Sequence, residues 1–156
     1  MGTAEAAIRE VEEFHAFLVR WLNGSCPRAD TLVEEQLARF DPDFLAISPG
    51  GRLQTREALR EWLAGAWGTQ PRLSIRISNA KLRRRGASAI LLTYEEHQTA
   101  GPESNSRLST VLFVVPHDDP SSVHWFHLHE VWLPTEAEGQ SGGRGSAPVN
   151  TTRSEP

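Results

Sequence analysis

The chain has one cysteine, one methionine and one tyrosine among its 156 residues. Cys26 has no partner for an internal disulfide, and Gly24-Ser25-Cys26-Pro27-Arg28 places no histidine beside it, so it reads as a loop thiol and not as a nucleophile. Positive charge is not in excess: 16 Lys and Arg against 20 Asp and Glu give a formal charge of −4, which argues against a nucleic-acid partner. No apolar run approaches the roughly 18 residues of a membrane span. Residues 1–12 are acidic and helical in pattern, not basic then apolar, so the expectation is a cytoplasmic protein with no membrane partner. Glycine-rich phosphate loops, nucleophile elbows, dinucleotide fingerprints and catalytic-cysteine signatures are missing, and there is no internal repeat.

What is present supports one domain. The 38% apolar composition is adequate for a core spanning residues 1–134. Residues 135–156, rich in Gly, Ser and Pro, hold almost nothing large and apolar, so burial cannot offset their ordering entropy and a disordered tail is expected. Ile8, Val11, His15, Leu18 and Leu22 recur at helical spacing and predict an amphipathic helix ending near Asn23-Gly24. Thr31-Leu32-Val33-Glu34 has the pattern of a capping box for a second helix, which Asp41-Pro42 would stop. A short strand over 43–48, a turn at Pro49-Gly50-Gly51 and a third helix capped by Thr55 follow, its inward face being Leu59, Trp62, Leu63 and Trp67.

Beyond that point everything alternates as strand. Apolar parity shifts after Leu73, Ile75 and Ile77 to Ala80 and Leu82, which predicts a bulge near Ser78-Asn79. The basic run Lys81-Leu82-Arg83-Arg84-Arg85-Gly86 falls where a hairpin tip would lie, as a solvated turn. Strands over 88–98, 108–115 and 123–133 complete an antiparallel meander, so helices first and strands after give the α+β class. Ala89-Ile90-Leu91-Leu92 and Val111-Leu112-Phe113-Val114-Val115 are apolar on both faces. Three helices cover only one face, and the other is expected to meet a second copy as a homodimer.

The richest segment is His124-Trp125-Phe126-His127-Leu128-His129-Glu130-Val131-Trp132-Leu133. With a period of two, Trp125, His127, His129 and Val131 share one face and Phe126, Leu128, Glu130 and Trp132 the other. A carboxylate among that much aromatic bulk needs a partner or a pocket. On the strand over 88–98, Tyr94, Glu96 and Gln98 form a polar ladder at the open end of an apolar strand, as small-molecule sites do. Glu96 or Glu130, raised by burial, is a candidate base beside Tyr94 as donor; His15 is the candidate base outside the sheet, although a lone histidine on an apolar face is also an ordinary core residue. His127 and His129 share a face and could chelate a metal with Glu95, His97 or His117, but Leu133 and Pro134 stand where a cupin-type strand places its glutamate, so no metal is expected.

Phe40-Asp41-Pro42-Asp43-Phe44, Ser48-Pro49-Gly50-Gly51, Thr93-Tyr94-Glu95-Glu96-His97-Gln98, Arg107-Leu108-Ser109-Thr110 and Trp125 to Pro134, in this order of elements, resemble the nuclear transport factor 2-like superfamily. The similarity spans about Ile8 to Pro134 and extends to a bacterial branch related to the SnoaL-like polyketide cyclases and to the association domain of calcium/calmodulin-dependent kinase. The resemblance implies a cystatin-like cone of curved antiparallel sheet wrapped around three N-terminal helices. It also implies that Glu130 stands where the association domain has an arginine facing an acid-binding pocket, with Leu128, Glu130 and Trp132 toward the cavity and Trp125, His127 and His129 away from it. Glu130 then either meets a cationic or donor ligand or pairs internally with Arg107. The superfamily hosts isomerases, dehydratases and cyclases as well as binding and assembly domains, so the fold does not choose among them.

Three functions follow from these residues. The first is a small-molecule-binding domain whose apolar cavity is lined by Tyr94, Glu96, Gln98, Arg107, Glu130, Trp132 and Trp62. The second is a cofactor-free isomerase, dehydratase or cyclase acting on a small hydrophobic substrate. The third is a homodimeric assembly module whose cavity is filled by Trp62, Trp67 and Trp132.

Overall fold

The helices occupy the first half of the chain because the apolar period there is helical and each has a usable end. In the computed structural model, which describes residues 3–134, α1 runs Thr3–Asn23 and buries Val11, His15 and Leu22, together with Phe14, Phe17 and Trp21. Gly24 ends it at φ 75, a conformation glycine adopts without strain. The loop after the third helix supplies further caps: the Gly68 and Gln70 amides donate to the Trp21 and Leu22 carbonyls at 3.0 and 2.8 Å. A Cβ on Gly24 would stand 3.3 Å from the Gly68 Cα, so this crossing is close.

The second helix, α2, spans Asp30–Leu37 with Ala29 as its N-cap and no side-chain bond there. The expected capping box at Thr31 and Glu34 therefore does not form. Thr31 already lies within the first turn, and Glu34 instead accepts from Arg60 at 2.8 Å. The helix also ends before Asp41-Pro42, and Phe40 opens strand β1, Phe40–Ile47. Helix α3, Arg56–Ala66, is capped as expected: the Thr55 hydroxyl accepts from the Ala58 amide at 3.1 Å. Trp67 lies past the end of α3, outside its buried face, and its indole donates to the Cys26 carbonyl at 3.0 Å.

The remaining strands are β2 Leu53–Thr55, β3 Leu73–Arg85, β4 Ala89–Ala100, β5 Glu103–Val114 and β6 His124–Trp132. They form one open, curved sheet in the order β2-β1-β6-β5-β4-β3. β3 to β6 make the expected antiparallel meander, but β1 pairs with β6 in parallel, so the sheet is mixed. The three-residue β2, too short to show alternation, was not foreseen. The α+β cone around three helices holds.

Bulges give the sheet its bend. Pairing of β3 with β4 shifts register between Ser78 and Lys81, where Asn79 has φ 51, and again between Leu82 and Arg84. Lys81 to Arg85 continue β3 as an exposed edge and do not form the turn, which falls over residues 86–88. Charged side chains suit such an edge, because they oppose pairing with another strand. A third irregularity, opposite Leu112 and Phe113, inserts one residue into β6. It reverses the parity of Trp125, which leaves the face of His127 and His129 and enters the core at 1% exposure.

Ile90, Leu92, Val111 and Phe113 meet α1 and α3 on the inner face, whereas Leu91, Thr110 and Leu112 lie half-buried on the outer one. There Leu108 and Val131, cross-strand partners, are 38% and 48% exposed. No helix among the described residues is long and apolar enough to cross a membrane. The tail lies outside the described residues.

The two threonines separate real from apparent caps. Thr55→Ala should cost about 1 kcal/mol of stability, whereas Thr31→Ala should change it by less than about 0.5 kcal/mol; urea unfolding of both variants measures the difference.

Candidate functional site

Where β4, β5 and β6 run past the core, their inward positions change from apolar to polar in register. Ile90 and Leu92 give way to Tyr94 and Glu96 on β4, and Val111 and Phe113 give way to Ser109 and Arg107 on β5. Tyr94 lies opposite Ser109, Glu96 opposite Arg107, and Ser109 opposite Glu130. Helix α1 lays His15 across this row. The His15 Nε2 stands 2.6 Å from Glu96 Oε1, and its Nδ1 is 2.7 Å from the Val11 carbonyl oxygen. With Glu96 ionised both ring nitrogens face acceptors, an arrangement that the doubly protonated imidazolium satisfies.

Glu96 is enclosed further by the Gln98 side-chain amide, which donates to it, and by Arg107, whose Nε is 3.7 Å from Oε2. Arg107 reaches the other way to Glu130, its Nη1 donating to Oε1 at 3.3 Å, while the Ser109 hydroxyl donates to Oε2 at 2.9 Å. The guanidinium also lies over the Trp132 ring, 4.9 Å from its centroid. His15, Glu96 and Arg107 are all buried.

Burial and neighbours push these groups apart. Burial alone would lower His15, but the Glu96 carboxylate outweighs it and the imidazole is raised above 6.5. Burial would raise Glu96, and the His15 and Arg107 cations together hold it below 4.5. Glu130 is raised, by burial first and then by the nearby Glu96 charge, against the pull of Arg107. The Tyr94 hydroxyl is pushed well above 10 by burial and by the Glu130 and Glu96 carboxylates, against the pull of the Ser109 hydroxyl across the ladder, and stays a neutral donor. Of the two carboxylates, Glu96 is therefore held ionised and Glu130 is the one that can carry a proton.

A cavity of about 100 Å³ lies between α1, α3, β1 and this end of the sheet. Phe14, Phe40, Phe44, Trp62, Trp125 and Leu128 form its walls, and His15, Glu96, Gln98, Arg107 and Glu130 close one end. Ser48, Arg52 and Gln54 complete its lining, and of all the lining residues Arg52 is the exposed one.

The structure thus brings six of the residues singled out in the sequence to one cavity: His15, Trp62, Glu96, Gln98, Arg107 and Glu130. Two others stand back from it. Tyr94 lies behind His15, with ring centroids 5.7 Å apart, and Trp132 covers Arg107. His127 and His129 are on the outer face, where Glu95 and His97 are engaged by Ser78, Asn79 and Ser106. Among the described residues no group of three metal-ligating side chains occurs. Gln54, and Arg52 in the turn just before it, were not foreseen because β2 was not, and neither was Ser109, whose parity with Arg107 and Val111 on β5 was a usable signal.

Arg107→Met removes the cation between two buried carboxylates and should cost on the order of 3 kcal/mol in denaturant unfolding. His15→Leu should cost a similar amount, with a pH signature. The raised His15 contributes its stability fully below its ordinary 6.5 and loses it as pH rises through its folded value. The lowered Glu96 contributes above its ordinary 4.5 and loses its share as pH falls through its folded value. The gap between wild type and variant should therefore be widest from 4.5 to 6.5 and narrow on either side.

The family model described as sucrose-6-phosphate phosphohydrolase C-terminal matches residues 7–134. No curated protein matches the chain. A solved nuclear transport factor 2-like protein of unknown function from Pseudomonas aeruginosa is 30% identical, with 82% of this chain and 98% of that one covered and a TM-score of 0.75. The calcium/calmodulin-dependent kinase II hub of S. rosetta, at 12% identity, covers 85% of this chain and 98% of its own with a TM-score of 0.66. The kinase association domain of C. elegans, also at 12%, covers 81% and 94% with a TM-score of 0.59. These last two likenesses show the fold. The chain belongs to the sucrose-6-phosphate phosphohydrolase C-terminal family and has the nuclear transport factor 2-like fold.

Proposed function

We propose that this protein binds a small organic molecule in the cavity between α1, α3 and the inner face of the sheet. The observation that carries this reading is the junction of aromatic walls with a buried row of ionisable groups at one closed end. The space is well below the roughly 300–1,000 Å³ of sites for drug-sized ligands, so the ligand is smaller than those, with an apolar body toward Phe40, Phe44 and Trp62 and a polar end toward Arg107 and Glu130. The family description names a sugar-phosphate hydrolase, but these walls favour an apolar body over a polyhydroxylated one. Native mass spectrometry of the purified protein should show a bound small molecule, lost in a Leu128→Trp variant that fills the cavity. If no mass is retained, and no small aromatic or aliphatic acid, amide or amine raises the melting temperature, the binding reading fails.

Acid–base chemistry is a second reading, favoured by Glu130. Its raised carboxyl lines the cavity and is oriented by Ser109 and Arg107, so it can hold or return a proton near a bound molecule. An isomerisation, elimination or cyclisation without cofactor would then stop in Glu130→Gln while ligand binding persists.

Self-association through the outer sheet face accompanies either reading. It is supported by the exposed Leu108 and Val131 pair and by relatives that are hub and association domains. Sedimentation should show a dimer for the wild type and a monomer for Val131→Glu; a wild type that sediments as a monomer excludes the interface.

A further inference from the structure

A further buried carboxylate lies at the far side of the cavity wall, on α1. Glu10 is 6% exposed. Its Oε1 accepts from the Trp125 indole Nε1 at 3.1 Å and its Oε2 from Arg39 Nη1 at 2.7 Å. Trp125 lines the ligand cavity, stacked on Phe40 with centroids 5.4 Å apart and edge-on to Phe113 at 4.8 Å. Glu10 also borders an outer cleft of about 230 Å³, shared with Arg9, Glu13, Arg39, Ser122 and His124. One carboxylate therefore touches solvent-filled space through one oxygen's partner and the cavity wall through the other's.

We propose that Glu10 is a positioning residue for the ligand cavity: ionised, it fixes the Trp125 indole in the wall, and taking up a proton from the outer cleft releases that hold. The inference rests on the reading of the inner cavity as a ligand site. Its chemistry follows from the partners. An indole N–H and a guanidinium only donate, so an ionised carboxylate serves both with its full charge, whereas a proton takes one of its lone-pair sites and removes that charge. Arg39 has somewhere else to go: its side chain is 41% exposed, and the same Nη1 already donates to Glu13 at 2.9 Å. The indole is enclosed and has no such alternative, so it keeps at most a bond without charge assistance.

The conditions for proton uptake are local. Burial pushes the Glu10 carboxyl up to about 7, against the indole bond and Arg39, which lower it, and with the help of Glu13. The charged and titratable groups facing it are Arg9 and Glu13 from α1, Arg39 from the segment before β1, and His124 from β6. His124 borders the same cleft as Glu10, which makes His124→Asn the control.

The test is a pH titration of the full chain by NMR, following the Trp125 indole N–H together with the Trp62 indole and the Leu128 methyls, which report on the cavity. In the wild type all three should move with one midpoint near 7. In Glu10→Gln the Trp125 signal should sit at its acid position throughout and the cavity signals should lose that transition, while His124→Asn should leave the midpoint in place. A Trp125 transition that Trp62 and Leu128 do not follow overturns the proposal, and so does a transition that survives Glu10→Gln or disappears with His124→Asn. The wild-type titration needs neither a variant that folds nor a ligand, so this outcome is separable from whether the cavity binds a small molecule.

Discussion

The placement of α1 over the sheet depends on one buried carboxylate. Glu96 is where the helix and the strands exchange charge: His15 approaches from α1, and Arg107 from the neighbouring strand. Neither cation could be buried at that depth without it, and Glu96 could not be ionised there without them. Because Arg107 also serves Glu130, the four groups behave as one row, His15, Glu96, Arg107, Glu130, laid across α1, β4, β5 and β6. Alternate signs along that row let three of its members stay charged in the core. The last member is left with a raised carboxyl, and it is the one at the end of the row.

Sheet irregularities decide what this row faces. Strand β6 carries Glu130 to the inner face and, one bulge earlier, turns Trp125 inward as well. Without the extra residue Trp125 would share the solvent face with His127 and His129, and the cavity would lose both its wall and its link to Glu10. The parallel pairing of β1 with β6 then brings Phe40 onto Trp125. Together these place an apolar wall beside a polar end within one small space.

Much of this was legible from periodicity and some of it was not, for definite reasons. The α1 stripe, the Thr55 cap, the bulge near Asn79 and the face shared by Leu128 and Glu130 all follow from local pattern. Trp125 was misplaced because a bulge silently changes parity, and nothing in His124 to Leu133 marks the inserted residue as glycine or asparagine would. The false capping box at Thr31 shows the opposite failure, a local signature overruled when tertiary contacts start the helix at Asp30 and draw Glu34 to Arg60. Glu10 was invisible for a third reason: it sits at the border of the apolar stripe, where a glutamate reads as solvated, and its partners Arg39 and Trp125 lie far away in sequence.

Stability alone is a weak reason for such an arrangement. Buried ion pairs commonly stabilise no better than well-packed apolar side chains of similar volume, because the desolvation of both charges consumes the Coulombic gain. A sheet already lined by Ile90, Leu92, Val111 and Phe113 could close its end with more of the same. In its place stand four ionisable side chains, with Gln98 beside Glu96 and Ser109 beside Glu130, arranged so that most are satisfied within the protein while the row as a whole borders open space. Polar groups with fixed orientation next to an apolar volume cost stability and gain selectivity, since a ligand that fails to match them leaves buried charges without compensation. That asymmetry is the physical argument that supports the proposed reading of this end of the cone as a recognition surface.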